Sequence, residues 1–176
     1  PPIPSAPMPA RRTATAPPSL GTRRAPTYEE LAERMRPIHE GLRRRKLTVA
    51  SAESCTGGLL AAVLTEHAGS SDHYRGGMVV YSNDAKTTLA GVAPDLIHGP
   101  GAVSSVVAAA LARGAQEQLE ATIGLGITGI AGPTGATPGK PVGLVYVAIE
   151  SDRVSRVRKH QFAFDRAGNR LASVAA

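Results

Sequence analysis

The sequence predicts an α/β fold in which a mostly parallel sheet is covered by helices. Short apolar, β-prone runs alternate with helical patterns through the middle of the chain, the signature of strand–helix–strand units. The apolar fraction is 42%, yet aromatics make up only 3% and tryptophan is absent. The core must therefore be Val, Leu, Ile and Ala, which suits buried parallel strands. A last pair of β-prone runs is joined only by Ser151-Asp152, which predicts an antiparallel hairpin and a mixed sheet.

A chain of 176 residues fits one domain with a sizeable core. Residues 1–26 hold eight of the 14 prolines, spaced by Ala, Ser and Thr. Such a segment cannot bury enough apolar surface to offset its ordering entropy, so 1–26 is expected to be a disordered or polyproline-like tail ahead of a domain at 27–176. Thr27 and Glu30 form a capping-box pattern opening a helix with Leu31, Met35, Ile38 and Leu42 on one face. Pro37 should kink or divide that helix. Arg43-Arg44-Arg45-Lys46 reads as a solvated C-terminus that complements the helix dipole.

Leu47 to Ala52 is the first expected strand, followed by a helix beginning near Gly58 and a turn at Ala68 to Asp72. Gly76 to Tyr81 is the second strand, and Asn83 is a good N-cap for a short helix through Lys86 and Leu89. His98 to Gly101 forms a loop, and Ser104 caps an Ala-rich helix to about Leu119. Strands are expected at Ile123–Ile127, Val142–Ile149 and Val154–Phe164, with a Gly/Pro-rich loop from Gly129 to Gly139 and a last helix over Asp165–Ala176.

The formal net charge of +6 invites a nucleic-acid reading. Arg11, Arg12, Arg23 and Arg24 give the tail +4, which leaves only +2 on the other 150 residues. That near balance, with few stacking aromatics, argues against a nucleic-acid partner. One cysteine excludes an internal disulfide and a Cys-rich zinc site, and the five histidines lack metal-ligand spacing. No apolar run approaches the roughly 20 residues of a membrane helix, so the expected location is cytoplasmic, without a membrane partner.

Three polar sets stand at the ends of the first three strands: Ser54 with Thr56, Tyr81 with Asn83 and Lys86, and Thr128 with the glycine loop. If those strands run parallel, all three sets meet at one edge, where α/β sheets bind ligands. Such a cleft suits acyl transfer. A serine hydroxyl needs a base, and a buried lysine with a lowered pKa can be one. Tyr81 could fix the lysine, while Thr128 and the amides of Gly57 and Gly58 could stabilise an oxyanion. By spacing alone Ser54 could equally be a helix cap, Lys86 a solvated side chain and Cys55 either a competing nucleophile or a packed core residue.

Read together, Ala52-Glu53-Ser54-Cys55-Thr56-Gly57-Gly58, Arg75 to Asn83 with Lys86, Ile127-Thr128-Gly129-Ile130-Ala131-Gly132-Pro133 and Lys140-Pro141-Val142-Gly143-Leu144-Val145 closely resemble the CinA C-terminal domain family. The resemblance runs from about Leu42 to Arg170. It implies a three-layer α/β/α sandwich with a mixed, mostly parallel five-stranded sheet, no metal or organic cofactor, and a homodimer. It implies a nicotinamide-nucleotide amidase, which converts nicotinamide mononucleotide and water to nicotinate mononucleotide and ammonia. The family's catalytic residues match Ser54, Lys86, Tyr81 and Thr128. Substrate contacts are then expected from Thr56, Gly57, Gly58, Asn83 and Gly129, with Arg75 or, as second choice, Arg166 on the phosphate. The family's last helix runs longer than this one, and longer members add a large N-terminal domain. The alternative is a non-catalytic nucleotide- or nucleic-acid-binding regulatory domain linked to competence.

Overall fold

The computed structural model describes residues 24–176, so the expected tail lies almost wholly outside the described residues. Five strands form one sheet in the order β2-β1-β3-β4-β5. They are β1 (Val49–Glu53), β2 (Tyr74–Val79), β3 (Ile123–Gly129), β4 (Leu144–Ser151) and β5 (Val154–Gln161). β1 runs parallel to both β2 and β3, while β4 is antiparallel to β3 and to β5. The mixed, largely parallel sheet and the terminal hairpin are as the sequence predicts.

Helices cover both faces. α1 (Tyr28–Arg45), α2 (Leu59–Leu64) and α6 (Arg166–Ala175) pack together on one side, and α3 (Asn83–Ala90), α4 (Pro94–His98) and α5 (Ser105–Gln118) on the other. The interior strand β1, between β2 and β3, is buried along its whole length. Its alternation divides the core: Val49 joins Leu31, Met35 and Val63 under α1 and α2, whereas Ala50 and Ala52 join Val107 and Leu111 under α5. α5 lies almost on the sheet because β3 carries Gly124 and Gly126 beneath it. A Cβ at Gly126 would stand 2.3 Å from Ala108 O, so only glycine permits this approach.

Two of the three predicted caps form, and Asp165 supplies one that was not predicted. Thr27 and Glu30 complete the capping box of α1, Ser104 caps α5 and Asp165 caps α6. Pro37, however, neither divides nor ends α1, which is continuous over 18 residues. Pro37 and Glu33, whose carbonyl loses its i+4 donor, are both exposed, so water can satisfy the orphaned oxygen. The cap of α3 is Ser82, whose side chain accepts from Ala85 N–H, and Asn83 is instead the first helical residue. No described helix is long and apolar enough to cross a membrane.

Candidate active site

The carboxyl ends of β1, β2 and β3 meet at one edge of the sheet. Leaving β1, Ser54 N–H donates to Ile127 O of β3 at 2.9 Å, and on the other side Val80 N–H donates to Glu53 O at 2.8 Å. The chain after β2 turns at Tyr81 and enters α3 through its Ser82 cap. Lys86, one turn into that helix, is thereby aimed back over the strand ends.

Lys86 Nζ donates to Ser54 Oγ at 3.1 Å and to Val80 O at 2.9 Å, with the carbonyls of Tyr81 and Ser82 each at 3.4 Å. The lysine is 2% exposed and the serine 8%. No carboxylate pairs with Lys86 among the described residues. Burial lowers its pKa, opposed by the nearby Cys55, so its neutral amine forms more easily than that of a free lysine. The arrangement is a hydroxyl held by a desolvated amine, which is able to accept its proton.

Cys55 is packed in the core, and burial pushes its thiol up to about 11, which keeps it protonated and inert near neutrality. Among the described residues no group of three or more His, Cys, Asp or Glu side chains is placed to hold a metal ion.

Several expected partners behave otherwise. The side chain of Tyr81 is exposed, and its hydroxyl accepts from Arg166 Nη2 at 2.9 Å; only its backbone carbonyl approaches Lys86. The Thr128 hydroxyl donates to Ala102 O at 2.8 Å, so it ties down a neighbouring loop rather than offering its proton to an oxyanion. Gly57 N–H donates to Ser54 O, and Gly58 N–H to the Glu53 carboxylate, so neither amide is available to an anion. Arg75 is an outright correction. It lies at the amino end of β2, where its side chain reaches Leu119 O, whereas Ser54 follows the carboxyl end of β1.

The structure does bring Thr56, Asn83 and Gly129 to the correct edge. Asn83 is exposed in the first turn of α3, Gly129 ends β3, and Thr56 is fully buried with no partner for its hydroxyl among the described residues. Arg166 also reaches the site region, donating from Nη1 to Gly132 O at 2.7 Å. Arg170 was missed from the sequence. Its Nε and Nη2 donate to Thr56 O at 3.2 and 2.7 Å. The predicted last helix held the signal, because residues four apart share a face, and Arg170 follows Arg166 by four. Both arginines line a cleft of about 670 Å³ with Ala131, Pro133, Val142 and Phe164. A separate groove of about 520 Å³ between α1 and the sheet contains none of the predicted residues.

The model of the CinA C-terminal domain matches residues 31–176. The chain belongs to this family. It is 54% identical over 125 residues to a CinA-like protein of Acidobacterium capsulatum, covering 71% of this chain and 30% of that one. A CinA-like protein of Salinibacter ruber is 50% identical over 133 residues, covering 76% of this chain and 32% of that one. The chain therefore spans about a third of the length of these relatives.

The crystal structure of the competence/damage inducible protein CihA from Agrobacterium tumefaciens superposes with a TM-score of 0.78 at 40% identity, covering 85% of this chain and 91% of that one. A CinA superfamily protein from Escherichia coli gives a TM-score of 0.78 at 32% identity, covering 84% of each chain. The three-layer α/β/α architecture is thus that of the CinA domain.

Proposed function

We propose that this CinA domain is an amidohydrolase that removes ammonia from nicotinamide mononucleotide through a serine–lysine mechanism. The observation that carries the reading is the 3.1 Å contact between Lys86 Nζ and Ser54 Oγ, both of them buried. Ser54 Oγ attacks the carboxamide carbon while Lys86 takes its proton. The proton then passes to the departing nitrogen, which leaves as ammonia and gives an ester on Ser54. Water attacks that ester while Lys86 accepts its proton. The bond from the acyl carbon to Ser54 Oγ then breaks, Lys86 returns the proton to Oγ, and the nicotinate product departs with Ser54 and Lys86 restored.

Arg166 and Arg170 are the best-positioned anchors for the substrate phosphate, whose charge is close to −2 at neutral pH. Neither is ion-paired among the described residues, and both already reach backbone carbonyls around the site. Tyr81, hydrogen-bonded to Arg166, would then hold that guanidinium rather than the dyad.

Ammonia release measured side by side with nicotinamide mononucleotide, nicotinamide riboside and free nicotinamide tests the reading. Turnover confined to the phosphorylated compound is expected, and Ser54→Ala or Lys86→Ala should abolish it in a folded protein. Silence with all three compounds would overturn it and favour a nucleotide-binding domain without catalysis, whereas normal turnover in either variant would overturn the serine–lysine mechanism.

A further inference from the structure

The mechanism leaves one buried acidic group unused. Glu53, the last residue of β1, is 1% exposed. Its Oε2 accepts from Gly58 N–H at 3.1 Å and Leu60 N–H at 3.0 Å, and its Oε1 accepts from Ala61 N–H at 2.8 Å. The chain thus leaves the strand at Glu53, passes through Ser54 and closes back on the carboxylate it has just left. Gly57 and Gly58, at φ values of 59° and 92°, permit that tight return. α2 has no side-chain cap from its own Gly58, so Glu53 occupies the helix start from inside the core.

This closure decides which amides of the turn remain for a substrate. Ser54 N–H goes to Ile127 O, Gly57 N–H to Ser54 O and Leu59 N–H to Thr56 O, while Glu53 takes those of Gly58, Leu60 and Ala61. Between Ser54 and Ala61 only the N–H groups of Cys55 and Thr56 meet no acceptor among the described residues. They directly follow the attacking hydroxyl, where donors for a developing oxyanion are required.

We propose that Glu53 is a positioning residue for Ser54. By consuming the amides at the start of α2, it fixes the 54–58 turn so that the Cys55 and Thr56 N–H groups serve as the oxyanion donors. The inference rests on the serine–lysine reading but not on the identity of the substrate. Glu53→Gln keeps the side-chain size and turns one acceptor oxygen into an NH2 group. Either the Ala61 contact or the Gly58 and Leu60 contacts must then break.

Two readouts separate positioning from mere stability. One is the rate at which a fluorophosphonate probe labels Ser54, followed by mass spectrometry. The other is kcat and KM for ammonia release from nicotinamide mononucleotide. Folded Glu53→Gln should label about tenfold more slowly and lose at least about tenfold in kcat, as small displacements of a reacting group do, with KM changed less than threefold. Thr27→Ala, which removes the α1 cap far from the site, should lower the melting temperature and leave both rates unchanged. Labelling within twofold of wild type in folded Glu53→Gln overturns the inference. If the wild type labels at Ser54 but releases no ammonia, the substrate reading falls and labelling alone decides the role of Glu53. Failure of the wild type to label at Ser54 would sink both.

Discussion

Lys86 is the residue on which the chemistry turns, and its burial has a thermodynamic consequence. A lysine whose pKa is lower in the folded state than in the unfolded chain holds fewer protons folded than unfolded between those two values. Stability therefore rises with pH across that window, which ends near the ordinary lysine value of about 10.5. In Lys86→Met the window vanishes. Melting temperatures of wild type and Lys86→Met, taken from pH 7 to 10.5, should diverge in slope, with only the wild type gaining from this source. Activity should follow the same group: kcat/KM climbs with pH and levels off above the lowered pKa, at a lower pH than a free lysine would give. Parallel melting curves for the two proteins would mean that the amine is not desolvated as its 2% exposure requires.

Among the elements, α1 makes the sharpest test, because its sequence contradicts its structure at Pro37. Local rules break a helix there, yet the buried face through Leu31, Met35, His39 and Leu42 holds it continuous. Pro37→Ala restores an N–H for the Glu33 carbonyl, so the urea midpoint should rise by the equivalent of about 1–3 kcal/mol. An unchanged midpoint would show that the proline is accommodated without cost. The same contrast marks what could be read in advance. Caps and the hairpin were legible, since Thr27 with Glu30, Ser104 and Ser151-Asp152 act within a few residues of themselves. β2 begins at Tyr74, two residues ahead of the apolar run that suggests a strand, because pairing with Val49 decides its start. The roles of Gly58, Thr128 and Tyr81 could not be read either. Their partners are Glu53, Ala102 and Arg166, and for the latter two those partners are 26 and 85 residues away in the chain. The Ser54–Lys86 pair became legible only through four ordered motifs, since each residue alone reads as a cap or a solvated side chain.

Across the whole molecule the two ends of the sheet do different work. Hydroxyl, amine and arginines gather at the carboxyl end of β1 and β2, while the amino end is closed by a buried histidine pair. His39 Nδ1 of α1 lies 2.7 Å from His73 Nε2, and His67 stands 5.7 Å from His39 between ring centroids. His73 is fully buried, with no partner for its Nδ1 among the described residues, and its carbonyl accepts from Val49 N–H at the head of β1. Burial lowers its pKa, with His39 and Arg43 acting the same way and Asp72 opposing. A histidine harder to protonate folded than unfolded stabilises the fold above its unfolded pKa, about 6.5, and loses that contribution as pH falls toward its lower folded value. His160 on β5 is lowered too, by burial and Arg158, so two histidines add to the acid destabilisation that carboxylates such as Glu30 contribute. His73→Gln keeps a hydrogen-bonding group against His39 and removes one of them. Its melting temperature should therefore fall less steeply than that of wild type between pH 6.5 and pH 5. Equal slopes would assign the acid sensitivity to His160 and the carboxylates, and leave the amino end of the sheet indifferent to pH.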